Sequence, residues 1–485
     1  MLSCWSEAKD LFFEWFTQTR SFASLQDDND LVSLRQDHQP HIFPSCLRAF
    51  VVKSALPRIE SDRFRSSIQM FDRVFRPAQN PSDISWDQFL NEPAHLAPVP
   101  SIIPYQEIWQ GILDHKHSTA LIIAPHAEPH PDFQSLFSSY WSAIPQDWDI
   151  VCLGAYYSTP PAHLSHHTFA PGEISQVHGY ALRDRACAAL LQRASTGQSL
   201  PQSLTSLHRE HQLKIYSVWP NLICPISPTG QPQDLFNSFH QLGQHGRMGN
   251  QFFQVAATLG AAVRHGYRPM FPAWRSSQIL LEHFDQFLDT SQIAHLYKEP
   301  EFHYSEIPHS PNLDLTGFFQ SPLYFQGYEP LIRQYLQPSL KLKTAITTRF
   351  AQLLAKPTVA LHIRRADYIG LAHAFTSLPI DYYRAAMRLF PPGHHFAVFT
   401  DDPAWCRWAF QSDNVEIIEG NPGYADLFLM SACQHQIIAN SSFSWWAAWL
   451  NPNPAKRIIA PKNWFGPALS QNDIRDLIPA NWIIL

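Results

Sequence analysis

From Thr358 onward the chain repeats one pattern: a short apolar run rich in strand formers, a polar cluster, then a helical stretch. Thr358 to Ile363 precedes Asp381 to Leu389, Phe396 to Phe399 precedes Pro403 to Phe410, and Val415 to Ile418 precedes Ala425 to Cys433. Gln436 to Ala439, a helix at Phe443 to Leu450, and Arg457 to Ala460 continue it. Strands alternating with helices return parallel to one another, so the pattern predicts an α/β domain with a parallel sheet and helices on both faces.

In such a sheet, ligands bind beyond the carboxyl ends of the strands, which makes the polar clusters there the candidates for chemistry. The first strand runs into Arg364, Arg365, Asp367 and Tyr368. Arginine grips phosphate bidentately through a planar fork, and two adjacent ones suit a diphosphate, although an Arg-Asp pair that merely holds a loop has the same composition. The second strand ends in Thr400, Asp401 and Asp402 and the fourth in Asn440, Ser441 and Ser442. Those serines stand where a helix starts, so their hydroxyls and free backbone N–H groups suit an anion, with plain N-capping as the alternative. Pro403 follows Asp402 directly, which fits Asp402 as an N-cap and removes it from any metal pair with Asp401. Trp445, Trp446 and Trp449 have helical spacing and read as core.

Upstream, Gly246-Arg247-Met248-Gly249-Asn250-Gln251 precedes Phe252, Val255, Ala256, Leu259, Ala262 and Val263, an amphipathic helix that Gly266 closes. A glycine loop feeding a helix N-terminus suits an anionic or sugar ligand, or is simply a tight strand-to-helix turn. Pro225 to Pro232 holds three prolines and a glycine and reads as a linker. The expected division is therefore an extension over 1–48, a domain over 49–224, a linker over 225–235 and a domain over 236–485. The first of these domains mixes strands at Ala49 to Val52, Ala120 to Ile123, Ile150 to Leu153 and Ile215 to Val218 with helices such as Ser61 to Met70 and Asp184 to Leu191.

A length of 485 residues exceeds what one core serves, so two domains also follow from size alone. The net charge of -6 and the absence of any Lys or Arg run longer than a pair exclude a nucleic-acid partner. Seven scattered cysteines without a C-x-x-C pair disfavour a disulfide framework or zinc ribbon. No signal peptide is read at Met1 to Phe16, and no apolar run approaches the roughly 20 residues of a membrane span. A cytoplasmic protein is expected, with peripheral contact at the inner face of the membrane left open.

The ordered set Gly246 to Gln251, His362 to Tyr368, Thr400 to Trp405 and Asn440 to Trp446 closely resembles glycosyltransferase family 11, the α-1,2-fucosyltransferases. Leu315 to Ser321 and Pro461 to Phe465 fit the same family, over about Phe236 to Leu485. The resemblance implies a GT-B-like fold with a Rossmann-like parallel sheet, GDP-L-fucose as donor, inversion at the anomeric carbon and a galactose-containing oligosaccharide or lipid-linked glycan as acceptor. It implies that Arg364 and Arg365 hold the diphosphate, that Ser441 and Ser442 add phosphate contacts, and that His362 and Asp426 lie near guanine. Asn250 would face donor or acceptor sugar. Ala366 departs from the glycine usual in the family. Inverting transfer also needs a general base, for which Asp367 is the nearest carboxylate, with orientation of Arg364 or Arg365 as its alternative role. No cofactor and no metal are expected.

The N-terminal half, from about Ala49 to Pro225, resembles glycosyltransferase family 25, a GT-A-like mixed α/β type. That family has an acidic triplet where this chain has Ala124-Pro125-His126, so metal-dependent chemistry is not expected there and the half reads as an inactive scaffold or acceptor holder. Zinc binding by His126, Glu128, His130 and Asp132, which alternate on an extended segment, is the sharper alternative to a solvated loop. Competing functions are a bifunctional glycosyltransferase and a non-catalytic glycan-binding protein.

Overall fold

A computed structural model describes residues 48–51, 103–114, 119–124, 127–130, 136–137, 140–141, 143–165, 167–225, 235–281, 288 and 290–485. The expected helix at 61–70, and His126 and Asp132, lie outside the described residues. By internal contacts the chain divides into two units, one over 1–234 with 264–266, the other over 235–263 and 267–485.

The first unit contains strands β1 (Arg48–Val51), β2 (Thr119–Ile123), β3 (Ala127–Pro129), β4 (Ile150–Tyr157), β5 (Ala162–Ser165), β6 (Thr168–Ala170), β7 (Ile174–Arg183), β8 (Ile215–Val218) and β9 (Ile223–Pro225). Seven of them form one mixed sheet in the order β1-β2-β7-β4-β8-β6-β5, while β3 pairs antiparallel with β9. Helices Ile103–Asp114, Asp184–Ala194 and Leu200–Arg209 cover one face, where Trp109, Leu190, Leu204 and Leu207 are fully buried. The last helix starts in a capping box of Ser199 with Gln202. Of the four alternating residues considered for zinc, His130 is buried and its N–H donates to the carbonyl of Leu222.

The second unit holds two wholly parallel sheets, as the alternating pattern predicts. The smaller comprises β10 (Phe236–Ser238), β11 (Arg268–Met270), β12 (His295–Lys298) and β13 (Leu313–Thr316) in the order β11-β10-β13-β12. The larger comprises β14 (Thr358–Ile363), β15 (His395–Thr400), β16 (Val415–Ile418), β17 (His435–Ile437), β18 (Ile458–Ala460) and β19 (Ile483–Ile484) in the order β16-β15-β14-β17-β18-β19. Val359, Leu361 and Ile363 pack one face of β14 against Tyr382, Tyr383 and Ala386 of the helix Ile380–Met387. The carboxyl ends of β14, β15 and β17 therefore all open on one edge.

The helix Met248–His265 follows β10 and is buried from Phe252 through Val263. Gly266 ends it with φ +79°, and the N–H of Tyr267 reaches back to the carbonyl of Ala262. Phe253 meets Trp445 at 4.5 Å and Trp446 at 5.0 Å between ring centroids, which ties this helix to Ser442–Leu450. Trp445 and Trp446 are wholly buried and Trp449 nearly so. At 25 cal/mol/Å², each such ring contributes up to about 4 to 6 kcal/mol for the roughly 150–250 Å² it removes from water. Among the described residues no helix is long and apolar enough to cross a membrane.

The close fit of the central helix depends on Gly260, where an added methyl would overlap the carbonyl oxygen of Tyr324 and crowd Phe325. Gly260→Ala gains about 1 kcal/mol of helix propensity but forces backbone apart at a cost of about 1–3 kcal/mol. The expected net result is a lower urea midpoint and Tm, whereas Gly370→Ala, with nothing within 4 Å of the new methyl, is neutral or stabilising. Equal effects of the two substitutions in chemical denaturation contradict this packing.

Candidate active site

Parallel register carries the chain from strand to site. Ile363 pairs with Thr400, so the residues that follow, Arg364 and Arg365 on one side and Asp401 and Asp402 on the other, leave the sheet next to each other. Arg364 donates to Oδ2 of Asp367 and lies 3.0 Å from Oδ2 of Asp401. Asp401 Oδ1 accepts the backbone N–H of Arg365 at 2.8 Å and of Ala366 at 3.1 Å. Arg365 Nε donates to Oδ2 of Asp402 at 3.1 Å, and its guanidinium lies 4.5 Å from the centre of the Trp405 ring. Asp402 Oδ1 meanwhile accepts the N–H of Trp405 as the N-cap of Pro403–Ala409. Both arginines are thus fixed in direction, with only 19% and 27% of their side chains exposed.

Asp367, on the short helix Ala366–Gly370, orients Arg364 and sits 3.6 Å from Arg247 of the glycine loop. Its other oxygen, Oδ1, is buried without a hydrogen-bond partner. His362, two residues before Arg364, is buried against Phe443 and leaves Nδ1 without a partner. Burial, reinforced by Arg364, pushes its imidazole down to about 3, so the ring is neutral at ordinary pH.

The helix Ser442–Leu450 brings in the serines. Ser441 is its N-cap, accepting from the N–H of Phe443 at 3.4 Å, as the capping alternative requires of one serine. Ser442 instead turns its hydroxyl to Oδ1 of Asn250 at 2.6 Å. Preceding them, buried Asn440 donates to the carbonyls of Thr376 and Trp464, and Tyr368 donates to the carbonyl of Asn440. Those bonds hold the turn on which the serines stand.

Asn250 lies in the first turn of Met248–His265, and Gly249 allows that turn to touch the other helix start: a Cβ there would lie 2.5 Å from the backbone of Ser442 and Phe443. Two helix N-termini therefore converge, adding their positive ends to the two guanidiniums. Asn250 Oδ1 also accepts from Gln320 Nε2 at 3.1 Å, so only its amide hydrogens are left to face a ligand. Asp426, on the first turn of Gly423–Ala432, has Asn421 as its partner at 2.9 Å. Burial lifts its carboxyl to about 6, against the Asn421 bond and the charge of Arg349.

The structure thus joins Arg364, Arg365 and Asp367 in one ionic network and Asn250 with Ser442 in another, with His362 beside the first. Asp426 shares the edge but none of their bonds. The residues missed by sequence reasoning are Asp401 and Asp402 as holders of the arginines, and Gln320. Strand register was the available signal for the first two: equal steps beyond paired strands bring an Arg-Arg and an Asp-Asp together.

The model of the family described as "Glycosyl transferase family 11" matches residues 238–485, just over half of the chain. An alpha-1,2-colitosyltransferase of Escherichia coli is 31% identical over 183 residues, covering 36% of this chain and 62% of that protein. The O-antigen biosynthesis glycosyltransferase WbnK of the same organism is 38% identical over 138 residues, 26% of this chain and 44% of that protein. Galactoside alpha-(1,2)-fucosyltransferase 1 of Rattus norvegicus is 26% identical over 262 residues, 48% and 69% of the two chains. The chain spans less than two thirds of the length of the two bacterial relatives. The matched stretch contains the larger sheet, the smaller sheet apart from Phe236 and Asn237, and every residue of the two networks just described, and the chain belongs to glycosyltransferase family 11.

Proposed function

We propose that the chain transfers L-fucose from GDP-L-fucose to a galactose-terminated glycan, with inversion, on a GT-B-like pair of parallel sheets. The observation that carries this reading is the pair of guanidiniums that Asp367, Asp401 and Asp402 hold at one sheet edge, beside two converging helix N-termini. Such an array suits two adjacent phosphates better than a single carboxylate or a neutral ligand.

In this mechanism the acceptor hydroxyl oxygen bonds to the anomeric carbon from the face opposite the diphosphate. The bond from that carbon to the β-phosphate oxygen breaks, and GDP leaves with the electron pair. Arg364 and Arg365 take up the charge that grows on the leaving group, together with the N–H of Ser442, while that of Ser441 is spent on the carbonyl of Ala439. Asp367, the carboxylate beside Arg364, receives the acceptor proton. Asn250 offers its amide hydrogens to the sugar hydroxyls. Neutral His362 and the Asp426 carboxylate face the guanine, whose amide edge suits an acceptor.

Transfer is proposed to be independent of metal, because the adjacent carboxylates of Asp401 and Asp402 are both bonded to arginines, and those arginines do what a cation does elsewhere. The N-terminal unit is proposed as a scaffold or acceptor holder rather than a second active site. The name of one Escherichia coli relative, an O-antigen biosynthesis glycosyltransferase, favours an O-antigen glycan as acceptor.

Arg364→Lys replaces a fork by a point charge and leaves Asp367 and Asp401 each short of a bond. The expected loss in kcat is about 10²-fold with GDP-L-fucose and lactose, on the scale of one preorganised electrostatic contact. Turnover at the wild-type level in a folded variant refutes the phosphate role. Initial rates in excess EDTA should equal those with added magnesium or manganese, and loss in EDTA with recovery on either ion refutes the metal-free mechanism.

A further inference from the structure

Asn250 is gripped from two sides, and the side away from Ser442 leads into the smaller sheet. After β13 the chain turns through Gly317, Phe318, Phe319 and Gln320. Gly317 has φ +154° and Phe319 has φ +53°, the left-handed region that bulky side chains avoid. Such a residue costs of order 1–3 kcal/mol and persists only where its surroundings over-determine it. Here the Phe319 ring is wholly buried, 5.0 Å from Tyr324 and 6.2 Å from Phe239.

The backbone of the turn is braced by one carboxylate. Lys298 of β12 pairs with Thr316 of β13, so Glu299 emerges beside Gly317, and its own N–H donates to the carbonyl of Thr316. Glu299 Oε2 accepts the N–H of Phe318 at 2.7 Å and of Phe319 at 3.0 Å. The fit requires glycine at 317, where a Cβ would lie 2.5 Å from Glu299 Cβ. The carbonyl of Gly317 in turn accepts from Gln254, one turn beyond Asn250 on the same helix. The residue after the brace is Gln320, which donates to Asn250.

We infer that Glu299 is a positioning residue for the transfer: its carboxylate holds the left-handed turn that aims Gln320 at Asn250, the residue proposed to meet the sugar hydroxyls. Burial pushes this carboxyl up to about 7 against the two backbone bonds, so keeping a carboxylate here is costly without a task to offset it. The kinetic consequence rests on the proposed fucosyl transfer, and the geometric one does not.

The test compares Glu299→Ala, Glu299→Gln, Gln320→Ala and the double variant Glu299→Ala/Gln320→Ala in the full chain. Amide hydrogen exchange at Phe318 and Phe319 and kinetics with GDP-L-fucose and lactose are the two readouts. Glu299→Ala should speed exchange at both amides and lower kcat about tenfold or more, with Kd for GDP unchanged within about twofold. Glu299→Gln, whose amide oxygen accepts both bonds, should keep kcat within about threefold of wild type. The double variant should lose no more than the worse single variant, because the two residues act through one chain of contacts. Unchanged exchange in Glu299→Ala, multiplied losses in the double variant, or a parallel loss of GDP affinity overturns the inference. Gln320→Ala leaves the brace intact, so wild-type kcat in that variant overturns it even if Glu299→Ala does not fold. A wild-type chain that fails to bind GDP sinks the assigned function instead, while amide exchange still decides the place of Glu299.

Discussion

Two adjacent guanidiniums at a strand end repel one another and would splay into solvent unless held. The register of β14 with β15 answers that problem, because it delivers an Asp-Asp step alongside the Arg-Arg step. Each arginine gains a carboxylate, and Asp401 also closes the backbone at Arg365 and Ala366. The arrangement keeps both forks oriented before any ligand arrives, which is what electrostatic catalysis needs, since nothing then has to reorganise as charge develops. It also leaves Asp401 and Asp402 each bonded to an arginine.

The second dependence is steric. Two helices can bring their positive ends together only if no side chain separates them, and Gly249 provides that contact against Ser442 and Phe443. Asn250 then sits at the junction, accepting from Ser442 on the larger sheet's side and from Gln320 on the smaller sheet's side. The aromatic packing of Phe253 on Trp445 and Trp446 lies directly behind, so core and site share the same pair of helices.

Much of this was legible in the sequence where local pattern and tertiary need agree. The strands at 358–363 and 415–418 fall where the apolar runs place them, and Asp402 caps Pro403–Ala409 as the Asp-Pro step suggests. The three tryptophans are core, as their spacing indicates. What was not legible depends on contacts between distant segments. Asp367 lies three residues from Arg364 and could be paired on paper, but the Gln320 to Asn250 bond spans 70 positions and the Ser442 to Asn250 bond 192. Glu299 was invisible for the same reason: nothing around it marks a brace, and its partners appear only when β12 aligns with β13. The left-handed Phe319 likewise violates local preference and is held by burial.

If the held guanidiniums are built for a diphosphate, removing one phosphate should cost far more than one exposed ion pair. Isothermal titration of the full chain with GDP and with GMP, in EDTA, measures this directly. Clear GDP binding and a GMP affinity weaker by about tenfold or more are expected, since charge-assisted contacts to the missing phosphate contribute about 1.5–3 kcal/mol. Equal affinities for GDP and GMP, or no binding of GDP without a divalent cation, would contradict a site built for a diphosphate.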